Sequence, residues 1–220
     1  MHDDAEFIAQ TRGRRETYAL LARLLREEIS LNLLQQLRAM RGKLHDSEDA
    51  GQGHTLLNRY LSGIERIEDE QVIGELAADF AGLFLNAGSR PAHPYESFYT
   101  SPEHLLMQEA RDQVLLAYTT SGLALGGKFH EPEDHIALEL EFMSYLCQRT
   151  VAASEAGDPQ MTRTHLQSQR EFLVDHLLRW APRFCEDLEC HAATDFYRAL
   201  GRLLSDFLDL ESETMAEWGS

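Results

Sequence analysis

Three carboxylates and an imidazole fall within five residues at Glu131-Pro132-Glu133-Asp134-His135. These are the residue types of general acid–base catalysis and of metal coordination. The rest of the sequence supplies neither use with the company it needs. A carboxylate metal bundle requires inward Glu-x-x-His pairs on its helices, and none of the ten histidines has a glutamate three residues before it. His135 and Glu139 stand one helical turn apart, which is at most a partial site; the plainer reading is a helix-start histidine beside a solvated glutamate. HExxH is absent, and Ser89 lacks the GxSxG context of a nucleophile elbow. Cys185 and Cys190 flank an acidic turn, where carboxylates raise a thiol pKa. No metal, catalytic group or permanently bound cofactor is expected from these residues.

The run Gly122-Leu123-Ala124-Leu125-Gly126-Gly127-Lys128-Phe129 matches the first seven positions of a G-x-x-x-x-G-K-[ST] phosphate loop. A working loop follows a buried strand and carries a hydroxyl at the eighth position for magnesium. Here a helical pattern precedes it and Phe129 takes the place of the hydroxyl. A flexible inter-helix connection explains the glycines better.

The elements that would position these residues are helical nearly throughout. Tyr18, Leu21, Leu24 and Leu25 share a face, and Ser30 predicts a cap for a helix carrying Leu34 and Leu37. Leu57, Tyr60, Leu61 and Ile64 mark a third helix; Val72, Leu76, Phe80, Leu83 and Phe84 mark a fourth. Residues 86–100 read as a loop, and Ser101-Pro102-Glu103 reads as a helix start whose stripe runs through Leu106, Ala110, Val114 and Ala117. Another helix opens at Pro132 or soon after, with Ile136, Leu140, Met143 and Cys147 on one face. Phe172, Leu173, His176, Leu177 and Trp180 form a stripe ended by Pro182, and Thr194 caps a last long helix through Tyr197, Leu200, Leu204, Phe207 and Leu208. Sustained apolar/polar alternation is absent, so the chain is expected to be all-α. Its expected division is an N-terminal helical region 1–121, a hinge 122–134 and a C-terminal helical region 135–220.

With 43% hydrophobic and 26% charged residues, the chain is globular in composition, and its formal net charge is −17. That charge repels nucleic-acid backbones and anionic membranes and attracts cationic partners. Three cysteines without a disulfide framework suit a reducing cytoplasm. The acidic start Met1-His2-Asp3-Asp4 does not resemble a signal peptide, and no apolar run approaches the ~20 residues of a membrane span.

Two segments stand apart from generic bundle sequence. Asp79-Phe80-Ala81-Gly82-Leu83-Phe84-Leu85 leads to Pro91-Ala92-His93-Pro94-Tyr95-Glu96-Ser97-Phe98-Tyr99, a proline- and tyrosine-rich loop suited to form a groove wall. The second is Glu131 to His135. Capping accounts for one of its acids and leaves two acids and a histidine for recognition.

On these motifs the chain resembles the TorD/DmsD/NarJ family, dedicated chaperones of molybdenum-containing oxidoreductases. The resemblance rests on Asp79-x-x-x-Leu83-Phe84, Pro94-Tyr95-Glu96-Ser97 with Tyr99, Glu131-Pro132-x-Asp134-His135, and Ala193-Thr194-x-Phe196-Tyr197. It spans about residues 14 to 210, and the Leu76-Ala77-Ala78-Asp79 lead-in looks closest to the TorD branch. It implies an all-helical, non-enzymatic protein of the cytoplasm. Such a protein binds the twin-arginine leader and the apo catalytic subunit of a molybdoenzyme, assists cofactor insertion and delays export. It implies that Leu83, Phe84, Pro94, Tyr95, Glu96, Ser97 and Tyr99 contribute to a leader-binding groove, with Glu131, Pro132, Asp134 and His135 lining it from the hinge side. Asp79 matches an acid linked to apoenzyme binding. It also implies weak GTP binding in some members, and either a monomer or a domain-swapped homodimer exchanged through the hinge. Only Trp180 and Trp218 are present, so the groove tryptophans of DmsD-like members are missing. On the residues alone, two other readings stay open: a nucleotide hydrolase using Lys128 and Asp134, and a helical adaptor for an unrelated basic partner.

Overall fold

The structure is a computed structural model that describes residues 2–40, 51–85, 87–88, 90–123 and 131–218. Among these the chain is helical, in the order α1 (His2–Arg26), α2 (Leu31–Met40), α3 (Gln52–Gly63), α4 (Asp69–Phe84), α5 (Glu96–Thr100), α6 (Glu109–Thr120), α7 (Ile136–Glu155), α8 (Pro159–Phe172), a π-helical turn (Leu173–Leu177), α9 (Leu178–His191) and α10 (Asp195–Trp218). No described residue belongs to a strand; one isolated antiparallel bridge joins Tyr95 and His135. Most of the phosphate-loop lookalike, from Ala124 onward, lies outside the described residues.

The chain divides into two units interleaved in sequence. The first takes residues 1–26, 95–181 and 212–220, and the second takes 27–94 and 182–211. Residues 122–123 and 131–134, which flank the undescribed part of the expected hinge, are both assigned to the first unit.

In the first unit, α7 packs against both α1 and α8. Tyr18, Leu21, Ala22, Leu24 and Leu25 of α1 are buried, as the i, i+3, i+4 pattern requires. A ring cluster of Tyr118, Phe142 and Phe172 ties α6, α7 and α8, with centroids 4.7 Å apart for Tyr118–Phe142 and for Phe142–Phe172. Between α7 and α8, Gln169 donates to Thr150 Oγ1 at 2.7 Å and accepts from Cys147 Sγ at 3.4 Å, so its buried amide is satisfied. Arg14 lies over the Trp218 ring, 5.0 Å from its centroid.

In the second unit, α2 packs against α4, and Arg38 binds Asp69 and the Ile64 carbonyl. Phe80, Phe84, Phe184 and Tyr197 form its aromatic core. Gly53 closes the start of α3 on α10: a Cβ there would lie 2.4 Å from the backbone of Leu203, while the Gly53 N–H donates to Asp206 Oδ2 at 2.8 Å.

Three local expectations are corrected. Ser101-Pro102-Glu103 does not start a helix; α6 begins at Glu109, because His104 and Met107 have φ of 52° and 60° and interrupt the turn. Leu106 accordingly leaves the apolar stripe and is 40% exposed. Within the expected 86–100 loop, Glu96–Thr100 forms the short helix α5. Pro182 does not end its helix: α9 runs through it to His191. Phe184, Cys185 and Leu188 beyond the proline are fully buried, which outweighs the roughly 3 kcal/mol that an interior proline costs.

Gly53→Ala is expected to destabilise the protein by about 2 kcal/mol, because the added methyl must displace backbone. Urea unfolding followed by far-ultraviolet circular dichroism measures this, and wild-type stability would show that α3 closes on α10 less tightly.

Candidate functional site

Each polar residue of the 131–135 segment is tied to a different part of the first unit. The backbone of Asp134 runs antiparallel to the start of α5, and its carbonyl accepts the Glu96 N–H at 3.0 Å. Its carboxylate Oδ2 accepts the Ser97 N–H at 2.8 Å, satisfying a first-turn donor of α5. Glu131 accepts from the Tyr95 hydroxyl at 2.6 Å, and the Tyr95 ring meets the edge of His135 at 5.2 Å. Glu133 binds the Arg111 guanidinium of α6, and its carbonyl accepts from the Tyr118 hydroxyl at 3.0 Å. Although burial alone would raise the Glu133 carboxyl, Arg111 holds its pKa below the ordinary value.

His135 is the N-cap of α7, its Nδ1 accepting the Ala137 N–H at 3.0 Å. An acceptor Nδ1 requires the neutral ring with its proton on Nε2. Burial, reinforced by Arg26, lowers the imidazole pKa to about 3. Asp134 is fully buried and His135 is 5% exposed, so neither presents a free surface group.

Behind this clasp lies a polar cluster that the sequence patterns did not isolate. Glu96 and Glu139 are both fully buried. His176, in the π-helical turn, lies 2.8 Å from Glu96 Oε2, and the Trp180 indole N–H donates to Glu139 Oε2 at 3.2 Å. The remaining oxygen of each carboxyl has no donor while both are ionised. Burial, then the adjacent Glu96 and Asp134 charges, raise the Glu139 pKa well above the ordinary range despite the indole bond. A proton held by Glu139 and donated to Glu96 satisfies both carboxyls. Glu139 is thus not the solvated partner of a helix-start histidine, because α7 turns it inward. Tyr99 completes the surroundings by stacking on Trp180 at 5.6 Å. A glutamate one turn into an apolar helix and a histidine within an apolar stripe were the available signals; the pairing of His176 with Glu96 across 80 residues was not.

The structure thus brings Tyr95, Glu96, Ser97, Glu131, Pro132, Asp134 and His135 together, with Tyr99 at the far end of α5. Asp79, Leu83, Phe84 and Pro94 belong to the second unit. There the Asp79 carboxylate accepts the Ala193 N–H at 2.9 Å, the Thr194 N–H at 2.8 Å and the Thr194 hydroxyl at 2.6 Å. It therefore anchors the chain just before α10. Leu83 is buried and its carbonyl accepts the Ala92 N–H at 2.9 Å, fastening the loop that follows α4. Phe84 is half-buried in the aromatic core.

Among the described residues no group of three or more His, Cys, Asp or Glu side chains is arranged to hold a metal ion, and no helix is long and apolar enough to cross a membrane. Cys185 is buried, which pushes its thiol pKa up and away from thiolate chemistry. What the arrangement does is hold a short helix and its flanking loops by buried hydrogen bonds.

The family model for the nitrate reductase delta subunit matches residues 44–186. The chain belongs to this NarJ/TorD family of redox-enzyme maturation chaperones, which are not enzymes. Within it, the chain is 31% identical over 212 residues to the chaperone protein TorD of Photobacterium profundum, covering 94% of this chain and 96% of the relative. It is 30% identical over 216 residues to the chaperone protein TorD of Aliivibrio fischeri, covering 96% and 98%. A solved structure of a proposed redox enzyme maturation protein from Archaeoglobus fulgidus aligns with a TM-score of 0.47 at 17% identity, over 89% of this chain and 93% of that one.

Two outcomes test the structural roles. Asp79→Ala removes three part-buried hydrogen bonds that anchor the chain before α10, so a loss of about 3 kcal/mol is expected in urea unfolding. His135→Asn keeps an N-cap acceptor without the titrating ring. The His135 pKa is lower in the folded state, so its contribution to stability is complete above pH 6.5 and lost as the pH falls towards 3. The stability advantage of wild type over His135→Asn should shrink between about pH 7.5 and about pH 5. A constant difference would show that the ring does not cap as the neutral form.

Proposed function

We propose that this chain is a cytoplasmic chaperone that captures the twin-arginine leader and the apo form of a molybdenum-containing oxidoreductase. It holds the client for cofactor insertion and delays export until maturation is complete. The similarity to TorD chaperones over nearly the whole chain carries this reading. The built Tyr95–Ser97 clasp supports it, since a peptide-capturing surface needs a pre-ordered wall.

Binding is capture without chemistry. A net charge of −17 attracts a leader with paired arginines and accelerates encounter. Apolar contacts with the leader's apolar stretch then supply affinity. Asp134 and His135, being buried, act by holding α5 and α7 in place, while Tyr95 and Glu131 lie nearer the surface.

Calorimetry with the synthetic twin-arginine leader of a molybdoenzyme encoded beside this protein's own gene tests the reading. A Kd of about micromolar or tighter is expected, weakening at least severalfold between about 0.05 and 0.5 M salt as exposed charges are screened. Absence of binding to every such leader, or recovery of no molybdoenzyme subunit in a pull-down analysed by mass spectrometry, would refute it.

A further inference from the structure

The loop between α5 and α6 breaks the patterning rule that large apolar side chains go inside. Leu105, Leu106 and Met107 are consecutive and are 48%, 40% and 57% exposed. The loop is nevertheless held. The Leu105 N–H donates to Ser101 Oγ at 2.9 Å, Gln108 Nε2 donates to the Leu106 carbonyl at 2.8 Å, and His104 Nδ1 lies 2.9 Å from the Phe98 carbonyl. The His104 ring also packs on Phe98 at 5.1 Å. Two of its non-glycine residues, His104 and Met107, take left-handed backbone conformations. Strain of this kind persists only where the surroundings enforce it, and it concentrates at binding sites.

The loop is also continuous with the clasp. It leaves α5 directly, and the Ser101 N–H donates to the Ser97 carbonyl at 3.0 Å, on the same residue whose N–H is fixed by Asp134. Exposed Glu103 and Glu109 bracket the apolar trio, whereas Arg111, the nearest cation in sequence, is engaged by Glu133 and Asp112. The surface is therefore apolar at its centre and negative at its edges. Its complement is a peptide with an apolar run next to basic residues.

We infer that the Leu105-Leu106-Met107 loop is the seat of the apolar stretch of a bound twin-arginine leader, with Glu103 and Glu109 facing its basic end. This rests on the leader-capture reading above and assigns a surface to it. The strained turns keep three apolar side chains outward and ready, so little ordering remains to be done on binding.

The test uses the full chain and two synthetic peptides. One has a Ser-Arg-Arg head followed by about ten apolar residues; in the other, serine and glycine replace the apolar run. Wild type should bind the first at least about tenfold more tightly than the second. Combined Leu105→Ser, Leu106→Ser and Met107→Ser should weaken the first by about tenfold and leave the second unchanged, with the thermal melt retained. If the triple variant does not fold, Met107→Gly, which suits a left-handed φ, should weaken the first peptide alone. A triple variant, or a Met107→Gly chain, that binds the first peptide as wild type does overturns the assignment while leaving leader capture standing. Wild type that binds neither peptide overturns both. Conversion of a wild-type dimer to a monomer by the triple change, with peptide binding intact, makes the loop a contact between copies and also overturns it.

Discussion

Asp134 accepts the Ser97 N–H through its carboxylate and the Glu96 N–H through its carbonyl, both in a fully buried position. A five-residue helix such as α5 has almost no stability of its own, because nucleation fixes several residues for a single hydrogen bond. Asp134 supplies from outside the acceptors that the first turn lacks. Once α5 is fixed, Tyr95 is directed to Glu131 at one end and Tyr99 to Trp180 at the other. The loop leaving α5 then inherits its starting direction through Ser101. His135, one residue on, caps α7, so a single dipeptide sets the entry of two helices.

Beneath the clasp, burial imposes a second constraint. Two carboxyls in one dry site cannot both be ionised without large cost, and the raised Glu139 pKa expresses that conflict. Holding a proton on Glu139 turns a repulsion into a hydrogen bond with Glu96, while His176 takes the other side of Glu96. The π-helical turn at Leu173–Leu177 is where His176 leaves the regular α-helical register. Glu139's contribution to stability has the opposite pH sign to that of His135. It is full below the ordinary carboxyl range and lost as the pH rises through the raised folded value. The two buried groups therefore oppose each other across the acid range.

Periodicity made most of the helices legible, because it reports which face is buried; Tyr18 to Leu25, Val72 to Leu83 and Ile136 to Cys147 all follow it. The Ser30 and Thr194 starts were also readable, since Ser30 Oγ accepts the Leu33 N–H at 3.3 Å and Thr194 precedes α10. Ser101-Pro102-Glu103 misled for a physical reason: the cap chemistry is real, with Ser101 Oγ taking the Leu105 N–H, but left-handed His104 ends the turn. Pro182 misled because tertiary burial overrode propensity. The 131–135 motif was visible as unusual, yet the partners that explain its acids, Tyr95, Arg111 and Ser97, lie 22 to 37 residues away in sequence. Such pairings leave no periodic trace.

The acids of this chain thus divide into two populations that a net charge counts alike. Asp79, Glu96, Asp134 and Glu139 are buried and are bound to backbone N–H groups, an imidazole or an indole. Those bonds fix the backbone and side chains around them, so the role of these acids is internal. The exposed acids, among them Glu103, Glu109 and Glu131, generate the field that an approaching cation meets. Replacing a buried acid disturbs the scaffold first, whereas replacing an exposed one changes chiefly the charge at the surface. In this fold Asp79, Asp134 and His135 each hold a chain segment or a helix start from a buried position, and Glu103, Glu109 and Glu131 are left at the surface.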